Sequence, residues 1–225
     1  GYLEAVTWSF MDKKIAKLIS NNIIIIKNPI SADLDVMRPS NIPNLLTAVN
    51  LNKSKMINNS KIFEVGPIFD ETLEEKQINV ATAIGYGNVS GQNWNSKNKD
   101  FDVFDIKSDL MTILKSLNAP IDNLNYEAID NRVFHPGKSS SLRIGKNIIA
   151  NFGELNPILL NAFNISNSVV AFEIFTEALA QFQGKKKSTI SAFDNNPFQT
   201  VERDFAFLLP KSIKANDLVN KIKKI

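Results

Sequence analysis

The stretch HPGKSSSLRIGKNIIANFGELNP, residues 135–157, decides how this chain is read. From Leu142 onward apolar and polar residues alternate: Leu142 and Ile144, then, past Gly145-Lys146, Ile148, Ala150 and Phe152. Period two on both sides of a Gly-Lys pair predicts two half-buried strands joined by a tight hairpin. The same stretch holds the only histidine, His135, and a Gly137-Lys138-Ser139 that looks like the end of a phosphate-binding loop. Such a loop needs its first glycine at position 132, where Arg132 stands, so no Walker motif is present. A Ser-His-Asp arrangement using Ser139 or Ser140 lacks the Gly-x-Ser-x-Gly elbow that would expose a nucleophile. What remains is a turn feeding the hairpin, with Pro136 fixing φ and Gly137 free to take positive φ. His135 is then expected to hydrogen-bond neighbouring backbone or to sit at a subunit contact, and Lys138 to be solvated.

On the N-terminal side, EAVTWSF has strand composition and MDKKIAKLI reads as a helix capped by Asp12. NIIIIKNPI is expected to be a short, deeply buried strand. In the next segment Ser40 or Asn41 can cap a helix with Pro43 in its first turn; Ile42, Leu45, Leu46, Val49, Met56 and Ile57 form its stripe. KIFEVGPIF is a strand that Gly66-Pro67 should bend or end, and QINVATAIGYG is another. NVSGQNWNSKNKD reads as an exposed loop. FDIKSDLMTILKSL keeps helical spacing through Ile106, Leu110, Ile113, Leu114 and Leu117, with Asp105 as the expected cap. Beyond the hairpin, Asn156 and Pro157 open a helix and SVVAFEIF is a strand. Runs of strands with interleaved helices, hairpins among them and no βαβ repeat, predict an α+β fold: a mainly antiparallel sheet flanked by helices.

After QFQGKKKST the character changes to one strand, VERDFAFLLP, and one amphipathic helix, SIKANDLVNKIKKI. Such a piece cannot close a core alone. We therefore divide the chain into a core domain, 1–186, and an incomplete second domain, 187–225, with Lys185-Lys186-Lys187 as a solvated linker. Gly1 opens in mid-architecture, as expected of a piece of a longer polypeptide.

Composition narrows the chemistry further. With 44% hydrophobic and 22% charged residues the chain is an ordinary globular protein, and its longest aliphatic run, Ile23 to Ile26, is too short to span a membrane. Without cysteine there are no disulfides or thiolate metal sites, and a cytoplasmic location is expected. A net charge of +3 is no nucleic-acid footprint by itself. One histidine and no cysteine cannot build a zinc centre. Asp100, Asp102, Asp105 and Asp109 could be imagined around magnesium, but read more simply as a loop and a helix cap.

Six blocks in order, VTWSF, NPISADLDVMRPSNIPNLLTAVNLN, KIFEVGPIF, NWNSKNKDFDVFDIKSDL, HPGKSSSLRIGKNIIANFGELNP and VVAFEIF, resemble the bacterial phenylalanyl-tRNA synthetase β-subunit family. The match is to its catalytic-like core, and NPFQTVERDFAFLLP resembles the start of its ferredoxin-fold anticodon-binding domain. Departures are mild. Met37-Arg38-Pro39-Ser40 stands for the usual Met-Arg-Thr-Ser, Lys107-Ser108-Asp109 for Lys-Gly-Asp, and Gly66-Pro67 for Gly-Arg.

The resemblance implies a class II aminoacyl-tRNA synthetase catalytic-like fold that has lost the chemistry, followed by a truncated ferredoxin-like domain. It implies a parent phenylalanine–tRNA ligase using ATP and magnesium, assembled as (αβ)2 with the active site in the α subunit, and tRNA-Phe as a partner. The editing site and the β-subunit magnesium ligands lie in domains outside this chain, so no cofactor is expected on this segment. The residues allow a check on catalysis. Adenylate formation needs pre-placed arginines on the phosphates. KIFEVG, at the place of the class II Arg-x-Glu strand, has Lys61 and Glu64 but no arginine, and VVAFEIFTEALA has neither a Gly-rich run nor an arginine. Arg38, Arg132, Arg143 and Arg203 lie elsewhere in the sequence. No catalytic residue is expected. Structural or subunit-interface candidates are Arg38, Leu45, Leu46, Glu64, His135, Pro136, Gly137 and Glu154, with the helix from Ile42 to Ile57 and the strand around Glu64 facing the α subunit. Lys211 and Lys214 are candidate tRNA contacts; a tRNA-binding module acting through this basic end is the alternative reading.

Overall fold

The structure, a computed structural model, describes residues 1–72, 75, 77–89, 94–95, 99–182 and 198–223. By contacts it divides into two units, Gly1–Gly184 and Lys185–Ile225.

The first unit is built on strands β1 (Leu3–Glu4), β2 (Phe10–Met11), β3 (Val36–Met37), β4 (Ser60–Phe69), β5 (Gln77–Tyr86), β6 (Asn125–Glu127), β7 (Phe134–Ile144), β8 (Asn147–Leu155) and β9 (Val169–Phe175). Its helices are α1 (Lys13–Ile19), α2 (Ile42–Ser54), α3 (Val103–Ser116), α4 (Pro157–Ala162) and α5 (Thr176–Ala180). Seven strands form one sheet in the order β1-β4-β5-β9-β8-β7-β6, while β2 and β3 pair separately. Only β1 runs parallel, along β4; every other pairing in the large sheet is antiparallel.

Alternation along each strand feeds two cores. Ile62, Ile84, Tyr86, Val169 and Ala171 pack under α2 and α4, against Ile42, Leu45, Leu46, Val49 and Leu160. Ala83, Leu142, Ala150, Phe152 and Phe172 pack on the opposite side with Ile106, Leu110 and Leu114 of α3 and Leu179 of α5. A fully buried leucine contributes about 2 kcal/mol of apolar transfer, so the stripe of α2 holds it on the sheet. Its ends differ from the sequence reading: α2 stops at Ser54, Met56 takes φ 62°, and Met56 and Ile57 are exposed.

Several further expectations are corrected. Ile23 to Ile26 form no strand; Ile25 makes one bridge to Val36 and is 56% exposed. Four isoleucines in a row have strand propensity, but a ladder needs a partner and only Val36 offers one. EAVTWSF is no continuous strand: only its ends belong to one, Glu4 in β1 and Phe10 in β2, while Thr7 and Trp8 between them serve side chains. Gly66-Pro67 neither bends nor ends β4, which pairs with β5 from Ser60 to Phe69. The Phe69 N–H points outward to the Arg38 carbonyl at 2.9 Å, so Pro67, two residues earlier, lacks its N–H on that same outer side. The ladder to β5 therefore loses nothing.

Asp102, not Asp105, caps α3: it accepts from Phe104 and Asp105 N–H, and Asp105 reaches back to the Asp102 N–H in a capping box. Asp12 caps α1 and Asn156 caps α4, as their positions suggested. The loop expected around 88–100 falls largely outside the described residues, with Asn88 bridging Asp100 at its ends.

In the second unit Ala215–Ile222 form helix α6, whereas VERDFAFLLP forms no strand among the described residues. A strand exists only as one side of a ladder, and 198–223 supply no second extended segment to pair with it. Lys185-Lys186-Lys187 lies outside the described residues.

Candidate functional site

The sheet carries a row of polar side chains where its α2 side should be apolar. Glu64, Thr82, Glu173, Asn151 and Ser141 stand opposite one another in register on β4, β5, β9, β8 and β7. All five are 8% exposed or less. Ile62, Ile84 and Ala171, two residues along on the same face, belong to the core under α2. Strand geometry thus brings residues far apart in sequence onto one line.

One end of the row is an ion pair. Arg38 Nη1 lies 2.7 Å from Glu64 Oε1, with the two side chains 2% and 5% exposed. The guanidinium also donates from Nη1 to Thr7 Oγ1 at 2.9 Å and from Nε to the Pro67 carbonyl at 2.9 Å. Thr7 Oγ1 in turn donates to Glu64 Oε2 at 2.7 Å and accepts from Asn44 Nδ2 at 3.1 Å. Nη2 lies against Gly66, where a Cβ would sit 2.6 Å from it, so glycine is what lets the guanidinium lie flat on β4. KIFEVG has no arginine of its own; Arg38 is brought beside it from the end of β3. It is committed to carboxylate, hydroxyl and carbonyl, and 1% of it is exposed.

The middle of the row is fastened to α2. Ser40 Oγ accepts the Ile42 N–H at 3.1 Å and donates to Glu173 Oε1 at 2.6 Å. Ser40 therefore does the capping expected of Ser40 or Asn41, while Asn41 occupies the cap position with no cap bond of its own. Burial pushes the Glu173 carboxyl up to about 7, with the Ser40 hydrogen bond acting the other way. At the far end Ser141 Oγ donates to Asn151 Oδ1 at 2.6 Å.

Leu45 and Leu46, offered with Arg38 and Glu64 as structural or subunit-interface candidates, are fully buried in their own chain's core, as Arg38 and Glu64 are in the row, which is the structural alternative. None of the four presents surface to a partner. His135, Pro136 and Gly137 are not a turn: they lie inside β7, in a bulge. Phe134 pairs with Leu155 and the next pair is Ser139 with Gly153, so four residues face Glu154 alone. Gly137 does not use positive φ; Gly153 does, at 149°, and a Cβ there would meet Lys138 and Ser139 backbone at 2.5 Å. His135 Nδ1 accepts the Gly137 N–H at 3.0 Å, the local backbone bond that was expected. Ser139 Oγ donates to the His135 carbonyl rather than to its ring. Lys138 is not solvated alone; it pairs with Glu154 at 2.9 Å.

The aspartates do not converge. Asp102 and Asp105 serve the capping box and Lys99, and Asp109 accepts from Tyr2 OH at 2.8 Å. Lys211 and Lys214 are exposed, in the turn before α6 and at its cap position.

Two apolar hollows flank the row without opening onto its charges. One of about 470 Å³ is lined by Trp8, Met11, Ile15, Pro43, Leu51 and Phe163 among others; another of about 240 Å³ lies between Tyr2, Phe63, Ile113 and Phe172. Arg38, Glu64 and Glu173 line neither. Chemically, then, the row stores hydrogen bonds rather than presenting them. Glu173, Thr82, Asn151 and Ser141 escaped the sequence reading. The signal was present in Glu173, a lone carboxylate inside VVAFEIF, a run apolar on both faces.

Comparison with known proteins places these features. The family described as phenylalanyl tRNA synthetase beta chain CLM domain matches residues 1–176. The phenylalanine–tRNA ligase beta subunit of Rhodospirillum rubrum is 36% identical over 221 residues, covering 97% of this chain and 28% of that protein. That of Zymomonas mobilis is 37% identical over 224 residues, covering 99% and 28%. The chain thus spans about 28% of the length of these relatives. Among solved structures, a pyrrolysyl-tRNA synthetase of Desulfitobacterium hafniense superposes with a TM-score of 0.57 at 13% identity, covering 80% of this chain and 60% of that one. The sheet and its flanking helices therefore share the fold of that synthetase.

Proposed function

The chain belongs to the phenylalanyl-tRNA synthetase β-chain family, and we propose that it is a non-catalytic structural core of a phenylalanine–tRNA ligase. The parent enzyme charges tRNA-Phe with phenylalanine, using ATP and magnesium. This segment keeps the synthetase sheet without its reaction and pairs with a catalytic α subunit in an (αβ)2 assembly in the cytoplasm. No described helix is long and apolar enough to cross a membrane.

The observation that supports this reading is the state of Arg38. A phosphate clamp needs a guanidinium with free forks aimed at solvent. Arg38 is the arginine brought to the strand in question, and its donors go to Glu64, Thr7 and Pro67 instead. Stripping it from Glu64 would leave a buried, uncompensated carboxylate, a loss of about 3–5 kcal/mol. ATP would have to overcome that before any catalysis began.

With Leu45 and Leu46 inside the core, the surface that could meet an α subunit is the exposed apolar set beside α2: Trp8 at 62%, Leu51 at 56% and Met56 at 88%. Lys211 and Lys214, in the second unit, remain candidate tRNA contacts, within what we take as the first part of a ferredoxin-fold anticodon-binding domain.

Phenylalanine-dependent ATP–pyrophosphate exchange tests the reading on this chain, on the α subunit, and on both mixed. We expect silence from the chain alone and stabilisation or activation of α on mixing. Exchange by the chain alone overturns the non-catalytic assignment; silence with no effect on α overturns the pairing by this segment.

A further inference from the structure

Between the start of α2 and the middle of β9 lies a connection that pairing with an α subunit does not require. The Ile42 N–H is one of the donors that a helix start leaves without an intrahelical acceptor. It is taken by Ser40 Oγ, whose own proton goes to Glu173 Oε1. The first turn of α2 is thus tied to the sheet by two hydrogen bonds in series that end on a carboxyl.

That carboxyl is 5% exposed and has no cation beside it. Its neighbours in the row are Thr82 on β5 and Asn151 on β8, neither of them titratable. The charged groups next along the row, Glu64 and Arg38, pair with each other. From the α2 side comes Ser40, again without charge. Two polar groups in this neighbourhood lack any partner: the Asn41 amide, through both its oxygen and its nitrogen, and the Thr82 hydroxyl. Asn41 is 0% and Thr82 1% exposed. A buried carboxylate with one donor and no cation is poorly solvated, whereas a neutral carboxyl fits the same place.

We infer that Glu173 is a proton-dependent latch on α2: neutral, it closes the Ser40 relay in a dry row; ionised, it loosens the first turn of the helix and admits water. The direction of its titration agrees, since burial raises the carboxyl to about 7 from an ordinary 4.5. The folded chain therefore holds a proton that an opened or unfolded chain releases between those values. The stability this group gives is complete below about pH 4.5, is lost as pH rises to about 7, and changes no further above that.

Amide hydrogen exchange on the whole chain tests the latch, with rates at Ile42, Asn44 and Leu45 corrected for intrinsic base catalysis. The opening constant of this turn should rise about tenfold per pH unit from pH 5 to 7 and level off above. Leu110 of α3, buried on the other side of the sheet, exchanges only through global unfolding and should keep a smaller opening constant at every pH. Glu173→Gln should remove the pH dependence, and Ser40→Ala should raise exchange at every pH. A first turn whose protection ignores pH, a pH dependence that survives Glu173→Gln, or an opening constant at Leu110 as large as that of the first turn overturns the latch. If the Gln variant does not fold, the carboxyl-carbon NMR shift of Glu173 in the natural chain decides: a midpoint near 4.5 overturns it, and one near 7 matching the exchange step supports it.

Discussion

A guanidinium and a carboxylate buried together are two charges taken out of water, and what they contribute depends on which is removed. Arg38 and Glu64 are each 3% exposed or less, and Thr7 bridges them. Truncation to Arg38→Ala strands Glu64 with only Thr7 as a donor, so we expect a loss of about 3–5 kcal/mol in urea denaturation. The double variant Arg38→Met, Glu64→Leu removes both charges at similar volume and should recover most of that loss. A double variant as unstable as the single one would mean that the hydrogen bonds to Pro67 and Thr7, not the charge balance, hold this corner. The same residues show why sequence alone misjudged the site. Arg38 was recognised as a structural or subunit-interface candidate but without its partner, because nothing in Met37-Arg38-Pro39-Ser40 reveals that its side chain crosses to β4. Gly66 holds the missing clue: a glycine in mid-strand marks a close approach, here by Nη2.

Elements whose instructions are local were legible. The stripe of α2, the spacing of α3 and the Gly145-Lys146 hairpin each lie within a dozen or so residues, and the structure has all three. Elements that depend on a distant partner were not: Ile23–Ile26 has propensity without a ladder, and the polar row needs five strands in register before it exists. The bulge of β7 falls between these cases. His135-Pro136-Gly137 announces irregular backbone, but the residue that permits it is Gly153 across the ladder. At φ 149°, with a Cβ placed 2.5 Å from Ser139, Gly153→Ala must push the two strands apart. A cost of about 1–3 kcal/mol is expected from the backbone conformation alone. Gly137→Ala, with no positive φ and only the His135 ring within 4 Å, should be nearly silent. Comparing the two melting temperatures checks the assignment; a larger effect at Gly137 would restore the turn reading.

On the scale of the whole sheet, the two cores are separate in composition and joined in fate. Leu46 under α2 and Leu110 under α3 are both fully buried, on opposite faces of the same strands. Each leucine-to-alanine change should cost about 2–5 kcal/mol. Because the side chains share no neighbours, the two losses should add to within about 0.5 kcal/mol. Because β5, β8 and β9 contribute to both cores, neither helix can leave without exposing strands that the other also needs. The Gly1–Gly184 unit should therefore unfold in a single urea transition in each single variant, with far-UV circular dichroism and amide exchange reporting the same midpoint. A total stability of about 5–15 kcal/mol leaves the double variant close to unfolding in water, which makes additivity easy to test from the singles and a shortfall easy to see. Coupling well beyond additivity, or a second transition in either single variant, would show that the faces fold as independent layers. The polar row argues against that outcome, since Arg38 ties the α2 side to β4 and Ser40 ties it to β9.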